Sequence, residues 1–359
     1  MTFKITLHRL PGHRLQHFNT RTSRAPDNTV LPSAKANIPI PLDPSFLLRN
    51  GREHTEIELR RIVCSVKFEL LEKENAVRLL GPEMSYHEVD PYLQKRLAEM
   101  FVGRQEILTY TSRAERIDLC FEDSWTGYFI AALQGEPRRS DALTIIHLDD
   151  HTDLMATLLC VSDCGLVDPT SGALFDPMCS SSWQSAIHSG AVNIGNYLTP
   201  LYYSDRPVHI RHLNNGSPQG AFWIVREPCR YDLFPGRRFA AIAKVSSPGP
   251  DVVGSYYASS SPNTIVQIQP STRAIIHIDL DYFINDFNGA NRGITYVPDP
   301  ALRDNATKKL EDFFGALANS EIIVERWIIA TSPGFCSAYH WEWLLTEIEQ
   351  RIEAYGAPL

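Results

Sequence analysis

The stretch Ile145-Ile146-His147-Leu148-Asp149-Asp150-His151-Thr152-Asp153 decides how this 359-residue chain is read, because an unbroken apolar run ends in a burst of ionisable groups. A short apolar run bounded by polar residues marks a strand buried on both faces. In parallel sheets, the loops at the carboxyl ends of such strands converge on a crevice. Asp149, His151 and Asp153 stand at i, i+2 and i+4, so an extended backbone points them to one side, where they can close on a single ion or an ion pair. Asp150 and Thr152 then face away. The segment Ala274-Ile275-Ile276-His277-Ile278-Asp279-Leu280-Asp281 repeats the design further along the chain. Like carboxylates at a buried strand tip raise one another's pKa and neutralise unless a cation lies between them. Two such tips therefore predict a metal site.

For any single Asp, a strand-end cap or turn residue is the commoner reading; five ionisable residues in two matching patterns point to metal ligation. Four carboxylates and one imidazole are mostly hard donors, which favours manganese or magnesium over a thiolate-rich zinc site, and the imidazole tilts the choice to manganese. His147 and His277 precede the first Asp of each motif by two residues. They face the same way one step deeper, as donors to the carboxylates rather than as ligands, or equally as satisfied core histidines.

Outward from these tips, the chain from Arg116 alternates apolar strands with helical segments, the pattern of a mainly parallel sheet covered on both faces. Strands are expected at 117–121, 143–148, 208–211, 221–226, 239–245, 265–268, 275–280 and 322–331, and helices at 125–133, 181–188, 300–317 and 339–355. Residues 1–112 form an N-terminal accessory region, distinct from a catalytic domain at 113–359. It holds a candidate strand at 3–10, a Pro-punctuated stretch from Ala25 to Pro44, a β-like alternation from Glu56 to Leu80 and helical spacing from Asp90 to Ser112.

With 43% hydrophobic and 21% charged residues the chain is long enough to bury an α/β core. A formal net charge of -8 gives no general reason to bind nucleic acid or an anionic membrane. No apolar run approaches the roughly 20 residues of a membrane helix, and Met1 to His8 lack the apolar core of a signal peptide, so a cytoplasmic location is expected. Seven irregularly spaced cysteines argue against a disulfide framework, and the close pair Cys160 and Cys164 reads as two small core residues.

The paired motifs His-x-Asp-x-His-x-Asp and Ile-Asp-Leu-Asp-Tyr-Phe resemble the arginase/deacetylase (ureohydrolase) superfamily, over roughly residues 116 to 335. Within it they resemble the peptide arginase branch, whose members convert arginine to ornithine in ribosomally made peptides. The resemblance implies an arginase-like three-layer αβα fold and two Mn2+ ions. It implies that Asp149 and Asp279 bridge both ions, that Asp153 binds the first, and that His151 and Asp281 bind the second. The family's remaining ligand is a histidine at the end of the first strand. Here that segment reads Leu119-Cys120-Phe121-Glu122-Asp123-Ser124-Trp125, with Ser124 in the expected place. Asp123 or Glu122, each able to supply oxygen to manganese, stands as the substitute.

The Asp-x-Asp-x-x-Asp-Pro form of true arginases is absent. So is a glutamate after the late strand, where Ala330-Thr331-Ser332-Pro333-Gly334-Phe335 stands. The implied substrate is therefore an arginine within a precursor peptide rather than free arginine, with urea as the product. Asn193-Ile-Gly-Asn196-Tyr197 resembles a segment near the substrate in this branch, and Asn196 is a candidate substrate contact; a routine turn is the equal alternative. His188 is a candidate proton shuttle, against the commoner reading of a helix-end histidine interacting with the dipole. His209 and His212 read as structural. Two alternatives stay open: another C–N hydrolase of the ureohydrolase or deacetylase type, and a non-catalytic metal-binding partner protein.

Overall fold

The computed structural model describes residues 37–63, 65–134, 141–216, 220–290 and 296–356. The candidate strand at 3–10 and most of the Pro-punctuated stretch lie outside them. The centre is a nine-stranded sheet. Its strands are β1 (Thr111–Arg113), β2 (Ile117–Cys120), β3 (Leu143–Leu148), β4 (Val208–Leu213), β5 (Gly220–Arg226), β6 (Ile242–Val245), β7 (Val252–Ser259), β8 (Arg273–Asp279) and β9 (Ile323–Ala330). Their spatial order is β6-β5-β7-β4-β3-β8-β9-β2-β1. The run from β7 to β2 is parallel; β6, β5 and β1 add antiparallel edges.

The apolar runs are continuous because both faces of the sheet are covered. Ile145 and Ile275 pack into one core with helices α3 (Trp125–Gln134) and α4 (Ser180–Ser189). Ile146, Leu148, Ile276 and Ile278 pack into a second core with α5 (Pro300–Ala318) and α6 (Ala338–Gly356). Full burial of each such side chain contributes about 1.5–3 kcal/mol. The result is a mixed α/β molecule with a mostly parallel sheet between two helical layers.

Upstream, α1 (Pro44–Ile62) and α2 (Leu93–Glu99) flank a three-stranded antiparallel sheet of Ile40–Pro41, Ala76–Pro82 and Val66–Leu71. Leu59 and Val77 enter the first core and Leu93 and Leu97 the second.

Four sequence expectations are corrected. Residues 56–62 are helical rather than β-like: α1 is two helical stretches broken at Gly51 (φ 74°), and beyond the break Thr55 Oγ1 donates to the Gly51 carbonyl while Thr55, Leu59 and Ile62 form the buried stripe. Residues 265–268 form a turn after a short 3-10 helix, Pro262–Thr264, rather than a strand. The strand that lies beside β4 is instead β7, which the sequence reading passed over. Cys164 is exposed in the turn after Cys160–Ser162, not a core residue.

From β3 the chain proceeds to β4 on one side, whereas from β8 it proceeds to β9 on the other. The carboxyl ends of β3 and β8 thus border the crevice where connections diverge, the place where open α/β sheets bind ligands.

Candidate metal centre

The two strands that carry the acidic motifs are neighbours, with His147 in register with His277 and Leu148 with Ile278. Asp149 and Asp279 therefore emerge side by side. Neither tip stays extended, which corrects the simple i, i+2, i+4 picture. His151 N donates to Asp149 Oδ1 at 2.6 Å, and Asp281 N donates to Asp279 Oδ1 at 3.1 Å. Each first Asp thus closes a turn over the residue two positions on. Asp153 sits at φ 48°, a left-handed conformation that Asp tolerates better than most residues. The tips are tied together by Asp150 N donating to Asp281 Oδ1 at 3.1 Å and by His151 Nδ1 standing 2.9 Å from Asp281 Oδ2.

The donors gather in three groups that share Asp149: Asp149, His151 and Asp281; Asp123, Asp149 and Asp153; and, deeper, His147, Asp149 and His277; in each, donor atoms lie within 4.8 Å of one another. Asp279 is buried beside them. Of the candidates to stand in for the missing histidine, Asp123 reaches the cluster. Glu122 is engaged elsewhere: His87 Nε2 is 2.6 Å from its Oε1, and Tyr86 Oη donates to the same oxygen at 2.7 Å.

Asp123 Oδ1, Asp149 Oδ2 and Asp153 Oδ2 are buried with no hydrogen-bond partner among the described residues. Leaving a charged acceptor so costs upwards of about 1–3 kcal/mol, and a divalent cation relieves all three at once. Burial, then the neighbouring carboxylates, pushes the acids of Asp123, Asp149 and Asp279 far above the ordinary range. Burial likewise pushes Asp153 up to about 6. Desolvation alone would lower His151, but its contacts with Asp281 and the charge of Asp153 hold it up at about 10. This is the electrostatic signature of a site arranged for positive charge.

Behind the carboxylates lies a row of imidazoles. His212, His147 and His277 stand in one register line across β4, β3 and β8. Burial keeps all three neutral, pushing His212 down to about 4 and His277 to about 3. His212 Nε2 lies 3.0 Å from the Asp149 carbonyl, which can only accept, so this nitrogen carries the proton and Nδ1 accepts from Tyr256 Oη at 2.5 Å. His212 thereby anchors the backbone of the first tip. His209, expected to be structural, bonds Ser255 Oγ through Nδ1 at 2.9 Å.

A cavity of about 430 Å³ opens over the cluster, with Asp123, His151, Asp153 and Asp279 among its lining residues. Its walls include Tyr86, Phe121, Met155, Ile194 and Phe335, and no Lys or Arg lines it among the described residues. Asp150 also borders it, with its carboxylate held by Asn215 Nδ2 at 3.0 Å and Asn285 Nδ2 at 2.9 Å.

The other two sequence candidates lie apart from this lining. Asn196 Oδ1 accepts from Asn193 N at 2.9 Å, so its side chain holds the turn that presents Ile194 and Gly195 to the cavity. His188 occupies the last turn of α4 with its ring edge-on to Trp125. Sequence reasoning missed Tyr86, His87 and Asn288, which come from remote segments with no local motif, and gave Tyr197 no role of its own within the Asn193 to Tyr197 segment. Tyr197 Oη is 3.3 Å from His277 Nδ1 and Asn288 Oδ1 is 3.0 Å from His151 Nε2. No family model matches the chain, and no curated protein matches it.

Proposed function

We propose that this protein is a manganese-dependent hydrolase of the peptide arginase kind, which converts arginine side chains within a ribosomally made precursor peptide to ornithine and releases urea. The observation that carries the reading is the convergence of Asp123, Asp149, Asp153, His151, Asp279 and Asp281 at one crevice below a cavity whose described lining holds no Lys or Arg. An arginase-like fold and a pair of Mn2+ ions belong to the same proposal. The oxygen-rich donor set with one imidazole suits manganese.

Asp123, Asp149, Asp153 and Asp279 would hold one ion, and Asp149, His151, Asp279 and Asp281 the other. Bound metal supplies Lewis acidity and lowers the pKa of water from 15.7 to about 7, which the charge-delocalised guanidinium carbon requires of its attacker. Asp153 borders the cavity and is the group placed to take a proton from the attacking water and return it to the leaving amine. Glu122, fixed by His87 and Tyr86 in the cavity lining, offers negative charge to the cationic head of the side chain.

The aromatic and aliphatic walls suit the methylene stem. A free amino acid brings a carboxylate, for which the described lining offers no Lys or Arg. A peptide bond carries no such charge, which favours the peptidyl substrate. Mass spectrometry of an arginine-containing peptide incubated with the protein and manganese should show a loss of about 42 daltons per converted residue, the formula mass of cyanamide, with urea released. An unchanged peptide in the presence of fully metal-loaded protein would refute the reaction, and acetate release from an acetyl-lysine peptide would move it to the deacetylase class.

A further inference from the structure

The position left open by Ser124 has a second claimant besides Asp123. His147 Nε2 lies 3.6 Å from Asp149 Oδ2 and 3.6 Å from Asp153 Oδ2. All three atoms are buried without a hydrogen-bond partner among the described residues. The separation is too long for a hydrogen bond. It is, however, the spacing of two donors on one ion, since atoms each about 2.1 Å from a metal at a near-tetrahedral angle stand about 3.5 Å apart.

We propose that His147 is a direct ligand of the metal position formed by Asp123, Asp149 and Asp153, supplying from inside strand β3 the imidazole absent at residue 124. The inference rests on the metal-dependent reading above and revises the expectation that His147 only donates to the carboxylates. It gives the two positions like chemistry, each with one imidazole beside carboxylate oxygens.

The surroundings of His147 agree. A neutral imidazole that offers Nε2 to a metal must carry its proton on Nδ1 and needs an acceptor there. His147 Nδ1 is 2.9 Å from His277 Nδ1, which supplies that lone pair when His277 is protonated at Nε2. The ring planes are inclined by only 17° with centroids 5.1 Å apart, so the two facing Nδ1 atoms meet nearly in plane, as a ring N–H donor requires. On the opposite tautomer, His147 Nε2–H would donate to two oxygens, yet it stands beyond bonding range of both. His277 is a positioning residue in this arrangement, because it fixes which nitrogen of His147 is free to bind.

The test uses manganese chloride and the full-length protein. Anomalous diffraction from manganese-soaked crystals should place one ion within about 2.3 Å of His147 Nε2. Titration calorimetry of His147→Gln should show one of the two manganese ions lost or weakened at least about 10-fold, and His277→Leu should weaken the same ion. His151→Asn should affect the other. An ion more than about 3.5 Å from Nε2, or His147→Gln retaining both ions at unchanged affinity, overturns the assignment. Wild-type protein that binds no manganese removes both this inference and the hydrolase reading. Two bound ions with no action on peptide remove the hydrolase reading alone, and the crystallographic measurement stands even where a variant fails to fold.

Discussion

At the scale of single residues, the site is a compromise between ligand affinity and folding stability. Asp149 is fully buried among other acids, so Asp149→Asn should melt at higher temperature than chelated wild type, by the equivalent of about 0.5–2 kcal/mol. The same variant should lose more than about 100-fold in manganese affinity, because it removes a carboxylate common to all three donor groups. A variant that binds manganese normally would contradict that role. Titration follows the same logic. Asp153, raised from 3.8 to about 6, contributes stability to the metal-free fold at low pH that is lost as pH rises through its folded value. His151, raised from 6.5 to about 10, contributes stability that is lost as pH rises towards 10. His212 and His277, depressed to about 4 and about 3, give the opposite dependence, but theirs is complete above 6.5. Between about pH 7 and about pH 9 the chelated protein should therefore become less stable, and the manganese-loaded protein should not. Thermal melts in the two states at both pH values decide it. The five residues Asp149, His151, Asp153, Asp279 and Asp281 were legible because two sequence patterns repeat. Tyr86 and His87 were not, since they reach Glu122 from across the fold.

Elements were readable where one force dominated. Strands β3 and β8 are buried at nearly every position, so hydrophobicity alone marks them. Strand β7 escaped because Gly254 and Ser255 interrupt its apolar pattern. Gly254 is there for a physical reason: a Cβ on it would come within 1.9 Å of the Val208 carbonyl oxygen on β4. Helix α1 was hidden by an alternation of charged and apolar residues that also fits a 3.6-residue period, and by Gly51, which breaks it so that the Asp43-Pro44 cap serves only the first stretch. Packing between α3 and α4 sets a further constraint. A Cβ at Gly127 would stand 2.2 Å from the Trp183 ring, so Gly127→Ala should destabilise by about 1–3 kcal/mol although alanine is the better helix former. Urea unfolding measures this, and an unchanged or raised midpoint would show that Trp183 can move aside.

Across the whole molecule, the segment before residue 113 is built into the half that carries the acidic site. Asp90 accepts from Ala338 N at 2.6 Å and from Ser337 Oγ at 3.2 Å, capping α6, and Tyr86 forms part of the cavity wall. A chain starting at residue 113 should therefore lack cooperative unfolding, since it exposes both cores; a folded, active truncation would contradict this. Among the described residues no helix is long and apolar enough to cross a membrane. If the two neighbouring strand tips share divalent cations, calorimetric titration of chelated protein with manganese should show two ions per chain and, at free metal 100 times Kd, a stabilisation of about 2.7 kcal/mol for each. Protein that retains no manganese on purification and gains none on titration would contradict that sharing.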